Sequence, residues 1–141
     1  MRFQLHVAVL PIALLTILGC GPADGRSALR GKVLIDGQPA AGAAISFRPV
    51  GHEGNTTGIT VIDGTFDLDA SKGLLPGRYS VALQAYRNTG RTFHDPQRDS
   101  KMPEYAPIEF KSIEPAEIEI SVGKPNEFEI RAATGKNTGA P

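Results

Sequence analysis

The sequence predicts an all-β fold, a single antiparallel β-sandwich, on three observations. Short runs alternate apolar and polar residues. Gly-, Pro- and Asp-rich turn signals separate these runs at fairly regular spacing. No segment beyond the first twenty residues shows a 3.6-residue period. The 16 Gly and 11 Pro fall between apolar runs, where they act as turn punctuation, and not in one low-complexity tract. Each run is half apolar, as two facing sheets with wet outer surfaces require.

Seven strands follow in order. Leu29, Gly31, Val33 and Ile35 share one face of the first, and Asp36-Gly37-Gln38-Pro39 turns the chain. Ala43, Ile45 and Phe47 form the inward side of the second, which Pro49 ends. Ile59 and Val61 lie in the third. Asp63-Gly64 then makes a two-residue connection favouring a primed turn, and Phe66 and Leu68 return inward on the fourth. After Leu75-Pro76-Gly77, the residues Tyr79, Val81, Leu83 and Ala85 face the core on the fifth. Residues 87–108 break the rhythm with three prolines and many charges, and read as a long loop. The last two runs, Ile118-Ile120-Val122 and Phe128-Ile130, are expected to pair across Gly123-Lys124-Pro125-Asn126, with Glu117, Glu119, Glu127 and Glu129 outward. The domain is bounded at 28–132, and the small, polar tail 133–141 reads as disordered.

The first nineteen residues have a different character. Arg2 precedes an apolar run from Val7 to Leu18, too short for a bilayer that needs ~20 residues, so residues 1–19 read as a cleaved secretory signal peptide. The only cysteine, Cys20, follows directly. Ile17-Leu18-Gly19-Cys20 resembles a bacterial lipobox, which implies that Cys20 receives a diacylglyceryl group and then an acylated amine. The alternative is an ordinary secreted protein cut elsewhere, with Cys20 incidental. Two or more acyl chains hold a protein stably to a membrane at ~0.8 kcal/mol per buried methylene. Residues 20–27 then serve as anchor and flexible spacer. Gly21 in place of Asp implies, by the sorting rule of enteric bacteria, an outer-membrane location in the cell envelope.

The ordered set Gly31-Lys-Val33, Asp36-Gly37-Gln-Pro39, Ala43-x-Ile45-x-Phe47-x-Pro49, Asp63-Gly64-Thr-Phe66-x-Leu68 and Leu75-Pro76-Gly77-x-Tyr79-x-Val81 resembles the transthyretin-like, carboxypeptidase-regulatory-like domain. The whole chain looks like the short bacterial lipoproteins that carry one such domain. Asn126-Glu-Phe128-Glu-Ile130 matches their ending, whereas Pro103-Glu-Tyr105 lacks one spacer residue of the usual element. The resemblance covers about residues 28–131. It implies a seven-stranded prealbumin-like sandwich with Ig-like Greek-key connections, and it brings no catalytic residues. A fold of this kind does not by itself supply a function.

Composition narrows the chemistry. Fifteen basic against fifteen acidic residues lack the basic footprint of a nucleic-acid binder. With Cys20 lipidated, no thiol remains for disulfides, catalysis or metal. His52 and His94 are separated by 42 positions and give no zinc pattern, so no metal or other cofactor is expected. A Gly-x-Ser-x-Gly elbow and a phosphate-cradling Gly-rich motif are both missing, and no enzyme activity is expected. Four outward glutamates spread over two strands suit a soluble sheet face better than a calcium loop. In the long stretch, Arg87, Arg91, Phe93, His94 and Arg98 are the candidate contacts, with Asp95 placed to orient His94. The expected partners are a membrane, through lipid on Cys20, and a cell-envelope protein; a glycan or peptide bound by 87–108 is the alternative.

Overall fold

The computed structural model describes residues 25–135. Residues 1–19, expected to be a signal peptide, and Cys20 lie outside the described residues. The fold is all-β, with eleven strands where seven are expected: β1 (Leu29–Ile35), β2 (Gln38–Pro39), β3 (Ala43–Val50), β4 (Thr57–Val61), β5 (Thr65–Leu68), β6 (Gly77–Gln84), β7 (Tyr86–Asp95), β8 (Ser100–Pro107), β9 (Phe110–Glu114), β10 (Glu117–Ile120) and β11 (Glu127–Thr134).

They form three sheets. In the first, β1 pairs with β11 in parallel, β9 lies beyond β11, and the free side of β1 is shared by β5 and β2. The second runs β10-β6-β3-β4, antiparallel throughout. The third is the β7–β8 hairpin. The first two sheets enclose one apolar core. Leu29, Val33, Phe66 and Ile130 come from one side and Ile45, Phe47, Val61, Tyr79 and Ile120 from the other. The Phe47 and Phe66 rings meet across it with centroids 5.9 Å apart.

Two local features set these pairings. Asp63 and Gly64 take φ of 50° and 75°, the left-handed pair that a primed turn demands. The Gly64 N–H then donates to Ala40 at 2.7 Å, and the Gly64 carbonyl accepts from Val33 at 2.8 Å. A turn that reads as a plain hairpin thus carries the chain from the second sheet to the first. The second is Gly31. A Cβ there would overlap the Phe128 carbonyl oxygen and sit 2.7 Å from the Phe66 ring, so only glycine lets β5 and β11 close on β1.

Several expectations are corrected. The stretch 87–108 is not a loop but the β7–β8 hairpin, closed at its base by the Ile108 N–H donating to Ala85 at 2.8 Å. Its prolines are tolerated because each strand of a two-stranded ribbon has a free edge, and Pro96 sits in the tip turn. The final two runs do not pair with each other. β10 joins β6, and β11 crosses to the other sheet beside β1. Val122, expected inward, is 68% exposed in the connection between them. The tail begins later than 133, since β11 runs to Thr134, whose N–H donates to Asp36 at 3.0 Å. Ser27, assigned to the spacer, already bridges to Leu74.

The registers define two poles. At one, Ser27 pairs with Leu74, Asn126 reaches Ala28, and Gly77 opens β6 opposite Ile120. The eight residues of β6 then run ~25 Å to the other pole, where the β7–β8 arm departs.

Candidate interaction surfaces

The arm extends for ten residues of β7 and eight of β8, roughly 30 Å beyond the core. Every residue from Arg91 to His94 is exposed, which is unusual for paired strands that must gain stability from a covered face. Three of the exposed large hydrophobic side chains sit here: Tyr86 (52%), Phe93 (53%) and Tyr105 (58%).

Cross-strand partners share a face. Phe93 opposite Met102 and Arg87 opposite Ala106 mark one side. Tyr86 opposite Pro107, Asn88 opposite Tyr105, Thr92 opposite Pro103 and His94 opposite Lys101 mark the other. Between Asn88 and Thr92 the β7 strand takes four steps against two on β8. This bulge is built by Gly90 at φ 79°, whose N–H donates to Asn88 Oδ1 at 2.8 Å, and by the Arg91 N–H donating to Thr89 Oγ1 at 3.2 Å. Arg91 lies in the bulge and Arg98 in the tip turn.

The five candidate residues are therefore on one arm but not on one face. Arg87 and Phe93 share a side, His94 takes the opposite side, and Arg91 and Arg98 occupy the bulge and the tip. His94 is not oriented by Asp95; its Nε2 lies 3.5 Å from Asp99 Oδ1. Asp95 accepts instead from the Gln97 N–H at 2.9 Å and faces Arg98 at 3.8 Å. Among the described residues, Arg87, Arg91 and Lys101 make no ion pair, so the arm keeps exposed positive charge beside its rings. Tyr105 gives no contact signal in the sequence, because one tyrosine among prolines and charges carries no pattern. Its exposure emerges only from its pairing with Asn88.

The four glutamates divide between sheets and do not converge. Glu117 faces Arg78 at 3.6 Å, Glu127 pairs with Arg30, and Glu129 accepts from Arg131 Nε at 2.7 Å. No group of three or more His, Cys, Asp or Glu side chains among the described residues is placed to hold a metal ion. His52 is built into the fold: its ring meets Tyr79 edge-on at 5.0 Å, and its Nε2 lies 3.1 Å from the Arg78 carbonyl.

The opposite pole has a second surface. A groove there is lined by Arg26, Ala28, Asp67, Val122, Lys124 and Asn126, among others. Asn126, 7% exposed, is the buried polar residue of the described chain. Among the described residues no helix is long and apolar enough to cross a membrane.

No protein-family model and no curated protein matches this sequence. Among solved structures, a 9R-lipoxygenase from Cyanothece PCC8801 aligns with 88% of this chain at 11% identity and a TM-score of 0.32. The chain spans 18% of that protein's length, and a likeness this slight carries no argument about fold or activity.

Proposed function

We propose that the chain is a non-catalytic lipoprotein of the bacterial cell envelope that presents the β7–β8 arm to a protein partner. In this reading, lipid on Cys20 holds it to a membrane, the outer membrane by the Gly21 rule. The body is a transthyretin-like sandwich made of the seven expected strands, to which β2, β7, β8 and β9 are additions. The hydroxyl of Tyr79 donates to the Leu75 carbonyl four residues back at 2.9 Å, a tyrosine-corner bond that supports a Greek-key sandwich.

One observation carries the proposal. The arm, with its three exposed aromatic rings, leaves the pole opposite to the one where residues 25–27 join the fold. A tether at one end and an uncovered aromatic arm at the other suit display, with the rings held away from the membrane. Aromatic side chains supply large contact area at small entropic cost, and they dominate interfaces. Arg87 and Arg91, which make no ion pair among the described residues, favour a second reading, an anionic glycan or acidic peptide as the ligand.

Photo-crosslinking in intact cells tests the main reading. A crosslinking amino acid in place of Tyr105 or Phe93 is expected to give a discrete adduct with one envelope protein, while the same group at Lys32, on a sheet face of the body, gives none. Equal patterns from arm and body would overturn it. The second reading is supported if saturable glycan or peptide binding is lost in Arg91→Ala, Phe93→Ala or His94→Ala.

A further inference from the structure

The pole at which the chain joins the fold carries an exposed apolar tip that neither core nor arm uses. Val122, 68% exposed, stands in the turn between β10 and β11 beside Lys124, with Gly123 at φ 70°. The tip is held firmly. Asn126 Nδ2 donates to the carbonyls of Ala28 and Ser121, each at 3.1 Å, and its Oδ1 accepts from the Ser121 N–H at 3.0 Å. The incoming chain is held at the same place. Ser27 and Leu74 exchange backbone bonds of 2.8 and 3.1 Å, and Arg26 donates to the Gly73 carbonyl at 2.9 Å.

Cys20 is six residues before Arg26, and six residues of fully extended chain span at most ~20 Å. A lipid on Cys20 therefore keeps this pole, whatever path the linker takes, within about one domain radius of the bilayer. Lys124 makes no ion pair among the described residues. Of the nearby carboxylates, Glu127 pairs with Arg30 and Asp69 accepts from the Ser71 N–H at 2.9 Å, whereas Asp67 and Glu119 make no ion pair among the described residues.

We infer that this pole is a membrane-contact face, with Val122 seated at the boundary between headgroups and acyl chains and Lys124 against the phosphates. An apolar tip beside a long cationic side chain suits that boundary, since the ammonium can stay among the headgroups while its stem covers apolar surface. The inference rests on the Cys20 anchor proposed above.

The test uses the mature full chain, reconstituted in vesicles of phosphatidylglycerol and phosphatidylethanolamine. With Cys20 acylated, Val122→Cys supplies the sole free thiol for a spin label, and His94→Cys reports on the arm. The label at 122 is expected to be at least ~5-fold less accessible than that at 94 to a water-soluble relaxation agent, and Lys124→Glu should reduce the difference. Equal accessibility in a chain shown by mass to be acylated overturns the contact face alone. No effect of Lys124→Glu removes the role given to that residue. A mature chain without acyl groups overturns the anchor and, with it, this inference.

Discussion

The side-chain amide of Asn126 donates to the Ala28 carbonyl at 3.1 Å, joining the start of the first strand to a residue 98 positions later. The same side chain exchanges two bonds with Ser121, so all its hydrogen bonds lie within the protein. It ties the connection between β10 and β11 to the start of β1, where the chain passes from one sheet to the other. Removing it takes the side-chain partner from the Ala28 and Ser121 carbonyls and from the Ser121 N–H at a part-buried site. Asn126→Ala is expected to cost ~2–4 kcal/mol, seen as a lower urea midpoint at unchanged slope. A loss below ~0.5 kcal/mol would mean that water replaces the clamp without penalty.

Gly31 and Gly58 form a matched pair of strand glycines with opposite expected outcomes. At Gly31 the added methyl meets a backbone oxygen that cannot rotate away, so Gly31→Ala should destabilise by ~3 kcal/mol or more. Gly58 has open space around its Cβ position and an ordinary φ. Gly58→Ala should be neutral or stabilise by ~0.4–1 kcal/mol, by restricting the unfolded chain. Thermal or urea unfolding of both variants measures the contrast, and similar effects at the two sites would contradict the packing around Gly31.

Much of the core was legible, because its strands place apolar residues on every second position. Ala43, Ile45 and Phe47 are buried as expected, and so are Phe66, Leu68 and all four inward residues from Tyr79 to Ala85. Strand partnership was not legible. β10 and β11 are separated by turn residues that suit a hairpin equally well, yet β10 pairs with β6 and β11 with β1 and β9. The arm is hidden in the sequence for a related reason. Its alternation runs through Met102, Glu104 and Ala106, residues too mixed in polarity to register as a strand face. Phe110 and Ile113, three apart on β9, break the period of two in the same way. The candidate contacts all fall on the arm, but which of them share a side depends on register, which composition does not encode.

Tyr79 supplies a pH-dependent prediction. Its ring is 3% exposed, and its hydroxyl donates to the Leu75 carbonyl. Burial raises its pKa above the ordinary 10.0, opposed by the charge of Arg26. A phenol with a raised folded pKa contributes fully below the unfolded value, where both states are protonated. As pH climbs past 10, the unfolded chain releases its proton while the folded chain keeps it, and stability falls until the folded pKa is passed. Tyr79→Phe loses the corner bond and should be less stable than the parent by ~1 kcal/mol at neutral pH. The variant has no phenol here to ionise, so that gap should narrow as pH rises. Urea unfolding of both proteins from about pH 8 to about pH 11 isolates Tyr79, because every other titrating group is common to the two. A gap that stays constant or widens across that range would show that the Tyr79 phenol ionises at least as readily in the folded protein as in the unfolded chain.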